Sequence, residues 1–243
     1  MIVDINCDVG EGVANEHLLM PYISSCNIAC GGHFGDVKTI DETIQLAKEN
    51  KVKIGAHPSF PDKENFGRVL MQISEEDLKK SIQNQINLFL ERLFLFDVKL
   101  HHIKPHGALY NAIAVDKKLA VFFADVIKPY LKNTYLYVPY NSVIEKVALK
   151  NNIKIMYEAF ADRNYNNDLT LVSRKQKNAL LVDEKEVLNH VLQMIKHQTV
   201  KTISGIEIPI KADTFCVHGD TENALEIVKF LHKELSKEGF TIG

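Results

Sequence analysis

The sequence predicts one α/β domain, spanning residues 1–243, built as a closed (β/α) barrel of about seven parallel strands. Three observations carry this. Short β-like runs alternate with longer helical patterns, which is the signature of a parallel sheet covered by helices. No Gly/Ser/Pro linker or low-complexity stretch interrupts the chain, and single barrels routinely reach this length. Polar residues stand just after almost every strand. In a barrel all C-terminal strand ends meet at one mouth, where barrel enzymes do chemistry, whereas in an open doubly wound sheet only the strands near the switch point converge. A count of seven strands makes the barrel irregular or incomplete.

The elements follow in order. IVDINCD (2–8) reads as the first strand and 23–30 as the second, ending in a glycine-rich turn. Asp36 is placed to cap a helix whose apolar positions Ile40, Ile44 and Ala47 keep helical spacing. VKIGAH (52–57) is a third strand. Ser74 with Asp77 resembles a capping box ahead of a long helix through Ile82, Ile86, Phe89 and Leu93. Residues 98–104 form a fourth strand stopped by Pro105, and a helix is expected over about 116–130. A fifth strand at 135–138, a helix at 142–150 and a sixth strand at 153–160 come next. Then follow a short extended piece at 180–183, a helix at 184–197, a hairpin turning at Ser204-Gly205, a last strand at 212–218 and a helix at 222–237.

Composition narrows the function class. Lys+Arg 29 against Asp+Glu 31 leaves a net charge of −2 with no basic block, which excludes a nucleic-acid surface. The N-terminal MIVDINCDVGEG has no basic region followed by an apolar run, so it does not read as a signal peptide. No run is long enough for a membrane span. Cys7, Cys26, Cys30 and Cys216 sit in apolar runs without a CxxC pair and read as reduced core thiols of a cytoplasmic protein.

Six stretches could carry chemistry. In DINCDVGEG, alternation puts Asp4, Asn6 and Asp8 on one strand face pointing into the barrel, with Glu11 on the loop beyond. Three polar side chains are a costly way to build a core, so function outranks a structural network. NIACGGHFGD sets His33 among glycines that permit close backbone approach. GAHPSFPD ends a strand at His57, and FGR adds Arg68, suited to a carboxylate or phosphate, with a surface salt bridge as the plainer reading. HHIKPHGALYN places Lys104 and His106 at the mouth with Tyr110 and Asn111 as supports, and puts His101 and His102 on opposite strand faces. FADRNY after YEA supplies Glu158, Asp162 and Arg163. CVHGDT supplies His218 and Asp220 at the start of a helix, where backbone N–H groups favour anions. His17, His190, His197 and His232 read as surface residues.

Asp8, His33, His57, His106 and His218 could surround a divalent cation, zinc being suited to such ligands. The first four are the candidates, although no HExxH spacing is present. No GxxxxGK[ST] or strand-following GxGxxG occurs, so neither a Walker-type ATP site nor a dinucleotide site is expected here.

The strings DINCDVGEG, NIACGGHFGD, IGAHPSFPD with FGR, KPHGALYN, FADRNY and FCVHGDT, in this order from Asp4 to Thr221, resemble the LamB/YcsF family. That family is the A subunit of bacterial ATP-dependent 5-oxoprolinase. The resemblance implies an irregular TIM-like barrel related to glycoside hydrolase and deacetylase barrels. It implies cleavage of 5-oxo-L-proline to L-glutamate coupled to ATP hydrolysis, with partner subunits B and C. A homo-oligomer is left open. Without a P-loop, much of the phosphorylation is expected to lie with the partners, and this chain to bind the activated ring and direct water. Asp8, His33, His57, Lys104, His106 and Asp162 are then the catalytic candidates. Asn6, Glu11, Arg68, Tyr110, Asn111, Glu158, Arg163, His218 and Asp220 are the substrate-binding ones. Lys104 and Arg68 would hold a carboxylate or phosphate, one of His106, His33 or His57 would act as base, and Asp8 or Asp162 would orient a histidine. Lys104→Ala or His106→Ala should then end activity with the fold intact.

Four positions depart from the family pattern: Gly32 for an aromatic, Phe60 for a tyrosine, Val69 for a second arginine and Asn178 for a glycine. The first two are expected to alter pocket shape. A metal-dependent amidohydrolase or carbohydrate deacetylase using the same mouth is the alternative. A non-catalytic scaffold is disfavoured, because it would need apolar patches rather than polar strand ends.

Overall fold

A computed structural model describes every residue of the chain except Ala14. Seven strands close a parallel barrel: β1 (Ile2–Val9), β2 (Ser25–Ala29), β3 (Lys53–His57), β4 (His102–Ile103), β5 (Tyr135–Pro139), β6 (Ile155–Phe160) and, after the small antiparallel hairpin of β7 (Thr199–Lys201) and β8 (Glu207–Pro209), β9 (Thr214–His218). β9 lies between β6 and β1 and seals the ring, with Asp4 opposite Thr214 and Asp8 opposite His218. A last short strand, β10 (Thr241–Ile242), pairs with the start of β1. Among the described residues no helix is long and apolar enough to cross a membrane.

Alternation along the strands sorts side chains between two environments. Ile5, Cys7, Cys26, Ile28, Ile54, Ala56, Ile103, Leu136, Val138 and Val217 belong to one apolar core. Ile40 and Ile44 of α2 (Val37–Glu49; preceded by α1, Glu16–Leu19) and Ile82, Ile86 and Phe89 of α3 (Glu75–Leu95) belong to it as well. Fully burying each of the larger aliphatic chains contributes roughly 1.5–3 kcal/mol. The other strand face points into the barrel and is polar.

Helix starts follow the local chemistry. The Asp36 carboxylate accepts from Thr39 N while the Thr39 hydroxyl accepts from Asp36 N, a complete capping box. Ser74 caps α3 by accepting from Asp77 N. The expected helix over 116–130 is present, and a separate helix not expected from the sequence precedes it: α4 (Gly107–Val115), then α5 (Lys117–Ile127), capped by Asp116 and followed by a 3-10 turn over Lys128–Tyr130. Asp116 is extended, so its carboxylate opens a new helix rather than continuing one. Helices α6 (Val143–Lys150), α7 (Glu184–His197) and α8 (Ala224–Lys237) complete the wall.

The expected strand over 98–104 shrinks to β4, although His101 N and Lys104 N still donate to β3 carbonyls. Two glycines make the approach possible. A Cβ on Gly55 would lie 2.1 Å from His102 Nε2, so only glycine lets that ring into the barrel. Gly107 has φ +54°, and a Cβ there would sit 2.7 Å from the Gly67 carbonyl, so glycine sets the turn that presents His106.

Candidate active site

The barrel interior is a ladder of hydrogen bonds. At its base the Asp4 carboxylate accepts from the hydroxyls of Ser25 (2.7 Å) and Thr214 (2.6 Å). One step up, Asn6 Nδ2 donates to Thr214 Oγ1 at 2.8 Å and Asn27 Nδ2 donates to Asn6 Oδ1 at 2.7 Å. Asn27 also donates to Asp8 Oδ1 (2.8 Å), and its own carbonyl accepts from His102 Nε2 at 2.6 Å. His102 stacks on Tyr137 with ring centroids 3.9 Å apart. Asn6 is therefore enclosed, with both ends of its amide occupied, and does not reach a substrate as expected from the sequence. His101 is the half-buried partner behind the wall.

Above the ladder lies the mouth. Lys104 is 2% exposed, and its ammonium sits 2.8 Å from Asp8 Oδ1, 3.0 Å from Glu158 Oε1 and 3.1 Å from Cys216 Sγ. Burial would lower its pKa, but Asp8 first among its neighbours holds it well above the usual lysine value. Asp8 itself is held well below the carboxylate range: burial opposes this, and His57 and Lys104 outweigh it. Lys104 is thus neutralised by two carboxylates, which corrects its expected role as holder of a carboxylate or phosphate. Cys216 faces inward beside that ammonium, yet burial pushes its thiol up, so it stays protonated.

On one side of Lys104, four side chains from three strand ends and the first loop pack together. His33 Nε2 lies 2.8 Å from Glu11 Oε1, and the His33 ring stacks on His106 at 3.7 Å. His106 Nδ1 is 3.2 Å from the same Glu11 oxygen and 3.0 Å from His57 Nε2. His57 Nε2 is 3.4 Å from Asp8 Oδ2. Burial lowers the His33 pKa to about 4 and lowers that of His106 as well. Glu11 stays a carboxylate: burial works against it, and its contacts with His106 and His33 prevail.

On the other side stands an oriented pair. Asp162 is fully buried and accepts from the His218 backbone N–H (3.0 Å), from the Thr221 hydroxyl (2.6 Å) and from His218 Nδ1 (3.0 Å). Burial would raise the Asp162 pKa, but His218 and these hydrogen bonds bring it down to about 2. The carboxylate fixes the proton on Nδ1 of His218. Its Nε2, with no hydrogen-bond partner among the described residues, is free to exchange a proton with a ligand.

A cavity of about 850 Å³ opens over this floor, bordered by Asp8, His57, Lys104, His106, Glu158 and His218. Arg68, Tyr110, Asn111 and Arg163 line it too. Glu11, His33 and Asp162 lie behind that lining. Buried polar atoms without a hydrogen-bond partner among the described residues are Glu158 Oε2, the Tyr110 hydroxyl and Arg163 Nε, on residues that line the cavity, and Asp220 Oδ1 at its edge; Glu158 Oε1 has the Lys104 ammonium beside it. Burial and then the Glu158 charge push the Tyr110 phenol well up, so it remains a donor. At the rim Arg68 pairs with Asp220, whose Oδ2 is also 3.6 Å from Arg174 Nη1.

Several expectations change. Gly32 and Phe60 do not border the cavity: a Cβ on Gly32 would collide with Gln85 and Ser59, and Phe60 is core. Val69 does border it. Asn178 adopts φ 62°, a backbone that a glycine would also take. His190 is not a surface residue; it stacks on Tyr165, its Nε2 is sealed, and burial lowers its pKa to about 4. Residues missed in the sequence are Asn27, Tyr137, Thr214 and Cys216, together with Arg174 and Thr221. Ser25 and Asn27 alternate along SCNIA as Asp4, Asn6 and Asp8 do along DINCD, so the same signal was available there.

The description "LamB/YcsF family" belongs to the family model that matches residues 3–243. The 5-oxoprolinase A subunit of Campylobacter jejuni subsp. doylei is 42% identical over 245 residues, covering 99% of this chain and 96% of that one. The crystal structure of a lactam utilization protein from Thermus thermophilus is similar with TM-score 0.93 and 33% identity, covering 100% and 99% of the two chains. In fold alone, a Bacillus subtilis peptidoglycan deacetylase (TM-score 0.51, 9% identity, 100% and 86% covered) and a Pseudoalteromonas aurantia GH18 chitinase (TM-score 0.53, 8% identity, 96% and 99% covered) are also similar.

Proposed function

The chain belongs to the LamB/YcsF family, and from that premise we propose that it is the A subunit of an ATP-dependent 5-oxoprolinase. In this reading it opens the lactam of 5-oxo-L-proline to L-glutamate together with partner subunits B and C. The observation that carries the proposal is the mouth itself. Two acid–base groups flank a buried ammonium there, beneath unpaired groups whose polarity matches a small cyclic amide bearing a carboxylate.

The charge balance orients the ligand. Asp8, Glu11, Glu158 and Asp162 place four carboxylates around the single ammonium of Lys104, so the floor repels an anion. The substrate carboxylate faces the guanidinium groups of Arg163 and Arg68, which suit it as planar bidentate donors. The lactam ring points inward, where the unpaired Glu158 Oε2 accepts its N–H and Tyr110 donates to an oxygen. The Asp162–His218 pair supplies the proton traffic. His218 Nε2 takes a proton from the attacking water as the C–O bond forms and delivers it to the ring nitrogen as the C–N bond breaks.

An unstrained amide is a poor electrophile with a poor leaving group, which accounts for the use of ATP. Transfer of a phosphoryl group to the carbonyl oxygen activates the ring carbon. A first water then leads to C–N cleavage and an acyl phosphate, and a second releases phosphate and glutamate. The sequence has no P-loop, in keeping with a phosphoryl donor held largely by the partners. Reconstitution tests the proposal. The chain mixed with candidate B and C subunits should form glutamate from 5-oxoproline only with ATP, and the chain alone should form little or none. Robust turnover by the isolated chain would remove the partner argument, and no turnover in any reconstituted complex would remove the activity.

A further inference from the structure

We propose that Glu11, His57 and His106 form a binding site for one divalent transition-metal ion of the zinc class. The inference stands on hydrogen-bond bookkeeping and is independent of the substrate assigned above. His57 Nδ1 lies 2.7 Å from the Lys104 carbonyl. A carbonyl only accepts, so Nδ1 carries the proton and Nε2 of the neutral ring presents a lone pair. His106 Nε2 lies 2.9 Å from the Phe66 carbonyl, so its Nδ1 likewise presents a lone pair. The third member is the carboxylate oxygen Oε1 of Glu11.

These three acceptors point at one another with no donor among them. His106 Nδ1 is 3.0 Å from His57 Nε2, and Glu11 Oε1 is 3.2 Å from the first and 3.8 Å from the second. Bonds of roughly 2.0–2.1 Å to a tetrahedral ion give ligand separations of about 3.3 Å, which falls inside that spread. A single proton serves only the contacts of the ring that carries it, whereas a cation serves all three.

The surrounding shell is that of a metal site. Each imidazole donates its remote N–H to a main-chain carbonyl, which fixes tautomer and ring plane. Glu11 accepts from His33 Nε2 at 2.8 Å, so His33 supports a ligand instead of being one. Asp8 is spent on Lys104 and Asn27 through Oδ1, with Oδ2 at 3.4 Å from His57 bordering the site. Glu11 therefore replaces Asp8 and His33 in the ligand set expected from the sequence. His57 and His106 line the cavity, so the fourth position opens toward it, as in two-His, one-carboxylate sites that keep a place for water or substrate.

The full chain, dialysed against a chelator and checked by circular dichroism, is titrated with Zn²⁺ by calorimetry and with Co²⁺ by visible absorption, without substrate or nucleotide. One ion per chain should bind, with d–d bands of low coordination and no thiolate charge-transfer band. Glu11→Gln and His106→Asn should each weaken binding by more than ~100-fold, beyond the 10–100-fold typical of losing an outer partner. His33→Asn should fall within that smaller range. Cys216→Ser should bind as the wild type does, separating this site from the neighbouring Asp8, Cys216 and His218 group. No binding by the wild-type chain, a thiolate band, or unchanged affinity in both ligand variants would overturn the assignment. The wild-type titration is decisive even where a variant unfolds.

Discussion

Asp162→Asn separates the proposed proton-transfer role of His218 from its mere presence. The carboxylate accepts three hydrogen bonds, from His218 N, His218 Nδ1 and Thr221 Oγ1. An amide keeps the size but turns one acceptor into a donor. Facing that new N–H, His218 relieves the clash by moving its proton to Nε2, the atom that has to accept one from water. Loss of the same orientation in a carboxylate–histidine pair costs roughly 10⁴-fold in kcat.

Stability falls as well. Asp162 titrates at about 2 in the fold against ~3.9 unfolded, a difference of roughly 2–3 kcal/mol. The folded value is the lower one. This contribution is therefore present above the unfolded pKa and is lost as pH falls through the native value. The assays are steady-state glutamate formation by the reconstituted complex and long-range ¹H–¹⁵N correlation spectra of His218. Expected are a collapse of kcat with little change in KM, and a tautomer switch from Nδ1–H to Nε2–H. Wild-type kcat together with an unchanged tautomer would refute the reasoning.

Other perturbations follow from the same geometry. Lys104→Ala strands two buried carboxylates, Asp8 and Glu158, so it should end activity and also cost on the order of 3–5 kcal/mol by denaturant titration; the fold does not pass through this change untouched, contrary to the sequence-based expectation. Gly107→Ala forces a Cβ to 2.7 Å from the Gly67 carbonyl at φ +54°, so a loss of at least ~1–2 kcal/mol and a displaced His106 are expected, read by melting temperature and kcat. His190 is held neutral by burial with a pKa of about 4 against ~6.5 unfolded. The unfolded chain takes up that proton first, so stability present above the unfolded value is lost as pH falls toward 4, by up to about 3 kcal/mol from this ring. Urea midpoints at neutral and acidic pH, in wild type and His190→Gln, measure it, and His33 adds a loss of the same sign.

Much of the barrel is legible in the sequence because its signals are local. Asp36 and Ser74 are caps by side-chain chemistry, and the helix at 184–197 falls where its period and the Asp183 cap place it. The alternation of Asp4, Asn6 and Asp8 declares an inward polar face. α4 is hidden because GALYNAIAV is apolar nearly all round and begins with glycine, so it has neither a polar stripe nor an ordinary cap. Which partner each polar group takes is not legible. Lys104 reads as a free cation, and only closure of the ring puts Asp8 and Glu158 on either side of it. His190 reads as one polar residue on an exposed helix, yet it lies against Tyr165, whose place depends on the long connection between β6 and β9.

The hydrogen-bond ladder inside the barrel also bears on how the chain folds. Thr214 serves Asn6 and Asp4 from 208 and 210 residues away. Until β9 arrives, Asp4 and Asn6 have Ser25 and Asn27 of β2 but lack Thr214, and the inner face of β1 stays open to water. The long loop it closes carries a large entropic cost that is met before any of these bonds is made. Docking of β9 is thus the step that closes the polar interior against water, while the apolar outer faces of the earlier strands already have helices to pack against. The polar groups beneath the mouth also act as a latch, joining β9 to the first strand across nearly the whole length of the chain.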